Sequence, residues 1–148
     1  MASRRKGRIL AFQALYSWDA VSPGEPSVSP DLLDFSWLEK VPDKEMSDFS
    51  RLLVVGTIEN SNAVDAMIRS HLKNWDFSRL NRVDLAVLRM STYTLMFQDE
   101  VPPSIVIDEA IGISKEFGTD DSYRFINGVL DSIRKTLQSE KAGSGSPE

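Results

Sequence analysis

Between Ile9 and Trp18 the chain reads Ile-Leu-Ala-Phe-Gln-Ala-Leu-Tyr-Ser-Trp. On a helical wheel only Gln13 and Ser17 interrupt an apolar coat that otherwise covers nearly every side. A helix that is apolar almost all round has no solvent face and must be enclosed by other elements, as in the interior of a bundle. The chain therefore has to supply several more helices to cover this one. Just before it, four of the six residues from Ser3 to Arg8 are cationic. The N-terminal end of a helix already carries partial positive charge, so each cation there costs a few tenths of a kcal/mol. Arg4, Arg5, Lys6 and Arg8 are thus misplaced for helix stability and suited to an anionic partner, most simply a phosphate backbone. A frayed, solvated N-terminus is the plainer alternative.

The length of 148 residues suits one domain with a real hydrophobic core, and 41% hydrophobic content excludes a disordered chain. With no cysteine, disulfides, thiolate zinc sites and cysteine nucleophiles are excluded, and a cytoplasmic setting fits. No signal peptide pattern and no run of about 20 apolar residues occurs, so neither export nor a membrane span is expected. Net charge is −5, from 17 basic and 22 acidic residues. Residues 1–8 hold four of the bases and no acid, which leaves −9 on the remaining 140 residues. An acidic body with a basic tip points to a local, oriented nucleic-acid contact, with surface left for a basic protein.

Further along, residues 19–30 are rich in Pro, Gly and Ser and read as a loop. Leu32, Leu33, Phe35, Trp37 and Leu38 form a short helix-like cluster ended by Pro42. Asp43 can cap a helix running to about Asn60, with Met46, Phe49, Leu52, Leu53 and Ile58 on its apolar face. Gly56 and Asn60-Ser61-Asn62 mark a bend, after which Val64, Met67, Ile68, His71 and Leu72 resume the period. Trp75 to Arg79 reads as a turn, and Asn81 to Phe97 as a second strongly apolar, central helix. Ser104–Phe117 reads as helix, with a strand as the alternative at Ser104–Ile107 because β-branched residues cluster there. Gly118 is a natural stop. Asp120 or Asp121 can cap a last helix striped by Phe125, Ile126, Val129, Leu130, Ile133 and Leu137. Gly128 inside that stripe suggests a close approach of another backbone or a ligand. Residues 139–148 read as a disordered tail, leaving 1–138 as a single domain.

Catalytic patterns are missing. No phosphate-cradling glycine loop, zinc spacing or nucleophile elbow occurs. His71, the only histidine, has no sequence-adjacent partner set for metal or base chemistry and reads as a helix residue. Asp108 and Glu109 are neighbours on a helix and point about 100° apart, so they do not face one another across a cleft. They read as a solvated face or a first-turn dipole pair. An enzyme is not expected. Tyr123-Arg124-Phe125 and Asn127 could instead meet phosphate, a base face and a base edge, although Phe125 also lies on the apolar stripe and fits core packing.

Several blocks, in order, resemble the NusB family of bacterial transcription antitermination factors. They are Arg4-Arg5-Lys6-Gly7-Arg8, Gln13-Ala14-Leu15-Tyr16-Ser17-Trp18, Val87-Leu88-Arg89-Met90 with Tyr93, and Val101-Pro102. Ile107-Asp108-Glu109-Ala110-Ile111, Lys115-Glu116-Phe117-Gly118 and Phe125-Ile126-Asn127-Gly128-Val129-Leu130-Asp131 complete the set. The resemblance implies an all-α fold of about seven helices, in two packed three-helix bundles around a central first helix. It implies binding of single-stranded boxA RNA of the ribosomal leader together with the small-subunit ribosomal protein NusE. Other Nus factors and RNA polymerase are the implied wider partners, with no cofactor, metal or catalysis. By position it implies RNA contacts from Arg4, Arg5, Lys6, Arg8, Asp121, Arg124 and Phe125, and a NusE-facing patch containing Tyr16 and Asp84. The family often has Glu at Asp84 and Asn at Asp108, so reach at the first and an amide donor at the second differ. Two other readings stand beside this one. One is a non-catalytic protein-interaction bundle, such as a free-standing relative of the NusB-like domain of rRNA methyltransferases; these 148 residues hold no Rossmann-like cofactor motif. The other is a homodimer formed through apolar surface kept for a partner.

Overall fold

The structure is a computed structural model, and it describes residues 4–21, Leu33, 43–73 and 76–144. All regular structure among these residues is helical: α1 Arg4–Val21, α2 Lys44–Glu59, α3 Ser61–Ser70, α4 Arg82–Phe97, α5 Pro103–Phe117 and α6 Ser122–Ser144, with a 3₁₀ turn at Phe77–Arg79. No helix is long and apolar enough to cross a membrane, among the described residues. The all-α expectation holds.

The apolar first helix is enclosed as its composition demands. Leu10, Ala11, Phe12, Ala14, Leu15 and Trp18 are all buried, and α1 packs on α2 and α4. Close approach of α1 and α2 is set by small residues. Buried Ser50 donates its hydroxyl to the Gly7 carbonyl at 2.7 Å, and a Cβ on Gly7 would lie 2.5 Å from the Phe49 ring. Helix α4 shares the centre with α1. It packs against all five other helices and is buried continuously from Asp84 to Thr92. Two three-helix groups, α1–α2–α4 and α4–α5–α6, meet on it, and α3 lies against it.

One buried cation ties this assembly together. Arg89 on α4 is 5% exposed and grips Asp65 of α3 with two hydrogen bonds of 2.9 Å, while its third nitrogen reaches Asp19 of α1 at 3.2 Å. Burial works against its charge, yet the hydrogen bonds and attraction of Asp65 and Asp19 outweigh it and hold the guanidinium above its ordinary value. His71 joins α3 to α6. Its Nδ1 lies 2.8 Å from the Met67 carbonyl, which can only accept, so in the neutral ring Nε2 accepts from the Thr136 hydroxyl at 2.7 Å.

Several boundaries differ from expectation. Helix α1 continues through Asp19, Ala20 and Val21, placed above in a loop, because Asp19 is held by Arg82 and Arg89. The remainder of that loop, Leu32 and the Phe35–Leu38 part of the apolar cluster, Pro42 and Trp75 lie outside the described residues. On α2, Val54 is buried and Leu52 is 68% exposed, reversing the expected stripe at that point. The Ser104–Ile107 segment is helix, not strand: Pro103 occupies the first turn, and Val106, Ile107, Ala110 and Ile113 bury one helical face. Gly118 ends α5 with φ −94°, so no left-handed turn is made; a Cβ there would lie 2.8 Å from the Ser114 carbonyl and from Ser122 Cβ. The α6 corner is closed by Ser122, whose hydroxyl accepts from the Thr119 N–H at 2.9 Å, a reach-back like half of a capping box, while Asp121 stands directly before the helix and its carbonyl accepts from the Phe125 N–H at 3.4 Å. Helix α6 runs to Ser144, so residues 139–144 of the expected tail are helical.

Candidate nucleic-acid interface

The cations of the first turn are not equivalent. Arg4, Arg5 and Lys6 are exposed, but the Arg8 side chain is only 12% exposed. Arg4 and Arg8 stand over the Phe49 ring at 4.5 and 5.6 Å, and Arg5 and Arg8 face Glu109 of α5 at 3.6 and 3.7 Å. Burial lowers the Arg8 pKa; Glu109 raises it and neighbouring Arg4 lowers it further. Together these groups border a groove of about 700 Å³ whose apolar wall includes Phe49, Leu52 and Ile105. Lys6 does not line it. Such a surface offers guanidinium forks suited to oxyanions beside an aromatic and aliphatic wall.

A second cluster forms where α6 begins. Asp84, Asp121, Ser122 and Phe125 line a cavity of about 290 Å³ with Arg79 and Asn81. Phe125 is half-buried, packing one side on the core while lining the cavity. Asp121 and Arg124 are exposed and 3.9 Å apart, and Arg124 Nε donates to the Tyr123 hydroxyl at 3.0 Å. Asp84 is 7% exposed rather than standing on an open surface. Its N–H donates to Asn81 Oδ1 at 2.8 Å and its Oδ2 accepts from Asn81 Nδ2 at 3.1 Å, but Oδ1 is buried without a partner. Burial raises its pKa, opposed by the Ser122 and Asn81 side chains. Tyr16 is 40% exposed and lines an adjoining groove with Phe117, Gly118, Asn81 and Thr119, the last two of which also border the Asp84 cavity.

The expected site residues are therefore gathered into two clusters. Arg5 and Tyr16 are eleven residues apart on one helix, or about 17 Å at 1.5 Å per residue. Asn127 and Asp108 belong to neither. They line another groove with Ser104, Ile107, Asp131 and Arg134. Gly128 is exposed, and a Cβ there would meet nothing within 4 Å, so among the described residues no other backbone approaches it. Sequence reasoning missed Glu109 as a partner of the arm and Arg79 at the cavity rim, and singled out Tyr123 without its contacts under Lys115 and Arg124 at 4.9 and 5.4 Å. Only Tyr123 had a local signal, its place beside Arg124 and Phe125; the others depend on contacts across the fold. No group of His, Cys, Asp and Glu suited to a metal exists among the described residues.

Fold and surface together define an all-helical bundle carrying two charged clusters. The family model of the NusB family matches residues 5–135. A relative from Treponema pallidum, "Transcription antitermination protein NusB", is 51% identical over 136 residues, covering 90% of this chain and 93% of the relative. The chain belongs to the NusB family. Among solved structures, T. maritima NusB superposes with a TM-score of 0.79 at 35% identity, covering 90% of this chain and 92% of that one. A structure titled "Crystal Structure of Antitermination Factors NusB and NusE in complex with dsRNA" superposes with a TM-score of 0.75 at 25% identity, covering 90% and 96%. Membership makes the chain a transcription antitermination protein and not an enzyme.

Proposed function

We propose that this antitermination factor acts in the cytoplasm by binding single-stranded boxA-type leader RNA jointly with NusE, and so joins RNA polymerase and other Nus factors on ribosomal RNA operons. The observation that carries this reading is the pairing of an arginine-rimmed groove with a half-buried aromatic on the same bundle, in a chain 51% identical to a transcription antitermination protein. Arg4, Arg5, Lys6 and Arg8 contact phosphates and supply affinity with little sequence choice. Asp121, Arg124 and Phe125 form the second contact, with the Phe125 ring, which lines the cavity, stacking on an unpaired base. The solved NusB–NusE relative is titled as a complex with double-stranded RNA. The single-strand preference proposed for this chain rests on Phe125, because a base inside a duplex has no free face to offer. Tyr16 and Asp84 face NusE. A basic side chain of NusE entering the Asp84 cavity would give Oδ1 the donor that it lacks.

The test is a fluorescence titration of boxA-type leader RNA, single-stranded and annealed to its complement, with and without NusE. Tighter binding of the single strand and further tightening by NusE are expected. Equal affinity for strand and duplex, or no effect of NusE, contradicts the proposal.

A further inference from the structure

Glu109 and Gly112 lie one turn apart on α5, and both face the basic turn of α1. Glu109 Oε1 stands between two guanidinium groups, 3.6 Å from Arg5 Nε and 3.7 Å from Arg8 Nη1. Neither contact is a hydrogen bond, since Oε1 is buried without a donor. Both exceed the roughly 2.7–2.9 Å of a charge-assisted N–H···O bond. The α5 backbone is shaped for Arg5 as well: a Cβ built on Gly112 would coincide with the Arg5 guanidinium, so the cation rests where another residue would carry its side chain. The open groove lies directly over Arg5, Arg8 and Glu109.

We propose that Glu109 is an internal competitor for nucleic-acid phosphate, occupying the space between Arg5 and Arg8 that a backbone phosphate would take and setting the arm's affinity below what its cations alone would give. The inference rests on the reading of the arm as an RNA surface. An organising carboxylate would fix both guanidinium planes through short, paired bonds. This one makes long, unbonded contacts, so it fixes little geometry while its charge opposes an incoming phosphate. Carboxylate and phosphate are both oxyanions matched by the arginine fork, which is why one can stand in for the other.

The experiment uses the full chain and a short labelled oligouridine, a probe that reports backbone affinity without a boxA sequence, across a range of salt. Glu109→Gln is expected to bind roughly two- to fivefold tighter, the scale of releasing a partly exposed ion pair. Its log–log salt slope should steepen by about 0.7 for each guanidinium released. Gly112→Ala inserts a methyl group where Arg5 rests, changes no charge and favours helix. It should shift affinity in the same direction. Melting curves confirm that each variant is folded. Unchanged or weaker binding by folded Glu109→Gln overturns the proposal, because Glu109 would then be an organiser or a bystander. If that variant does not fold, Gly112→Ala decides by the same criterion. Binding by Glu109→Gln where the wild type binds nothing supports the proposal. Absence of binding by all three at low salt instead removes the reading of the arm as an RNA surface, and this inference with it.

Discussion

Asp84 has one carboxylate oxygen bonded to Asn81 and the other buried without a donor. Its position in the first turn of α4 is favourable to the helix dipole, so removing the side chain from water is the main unfavourable contribution. Burial accordingly lifts its pKa above the ordinary 3.8. The sign follows from linkage: the folded state holds this proton more tightly than the unfolded chain, so stability falls as pH rises from about 4 through the raised value. Asp84→Asn removes that titration. The stability of the variant relative to wild type is expected to increase between acid and neutral pH, measured by denaturant unfolding at both; a constant difference refutes a raised pKa. Asp84→Lys buries an unpaired ammonium and is expected to cost about 3 kcal/mol or more, well above the cost of under about 1 kcal/mol for an exposed first-turn site. Local sequence showed the carboxylate near the start of a helix. It could not show the burial, because the cavity wall is made by Ser122 and Phe125, far along the chain.

Helix α1 combines a buried half, which every neighbour reinforces, with a cationic end that its own dipole opposes. The buried half was legible because a coat of apolar residues admits one solution, enclosure. The cationic end was legible as charge but not as four different environments. Arg8 is drawn in over Phe49 and Glu109, while Arg4 remains exposed. That difference sets the outcome of neutralising the arm. Replacing Arg4, Arg5 and Arg8 with Gln is expected to weaken binding to all single-stranded RNAs alike and to flatten the salt slope. The flattening should stay below about 2, the value for three fully available cations at 0.7 each, because Glu109 already offsets part of their charge. Unchanged affinity in the triple variant would contradict the phosphate role of the helix end. The other helices show where local signals stop. Pro103 and the spacing of Val106, Ile107, Ala110 and Ile113 outweigh β-branched composition in α5. Gly118 keeps its place through crowding against Ser114 and Ser122, not through backbone freedom.

Across the whole molecule, cohesion between the first and second halves depends on an apolar core and on one charge inside it. Arg89 was visible in the sequence only as a cation within Val87-Leu88-Arg89-Met90, where periodicity alone would have preferred an apolar residue. Its partners, Asp19 and Asp65, are 70 and 24 residues away, beyond any local pattern. The guanidinium also stands 5.1 Å from the centre of the Trp18 ring and 5.8 Å from that of Phe77, so α1, α3, α4 and the 3₁₀ turn converge on it. Replacing a complete buried ion network with apolar residues can be neutral, but removing one member leaves the opposite charges stranded. Arg89→Leu leaves Asp65, whose side chain is 15% exposed, facing an apolar group, and leaves Asp19, 13% exposed, with Arg82 alone. The expected loss is about 3–5 kcal/mol, a large part of the roughly 5–15 kcal/mol that separates a folded domain from its unfolded chain. Denaturant unfolding should show a lower midpoint. The triple variant Arg89→Leu, Asp19→Asn, Asp65→Asn should recover part of the loss, because the stranded charges are gone. Arg89 borders neither the arginine groove nor the Phe125 cavity, so RNA affinity per folded molecule should be unchanged in both variants. An unaltered midpoint in Arg89→Leu would mean that the apolar core holds α1, α3 and α4 together without this charge.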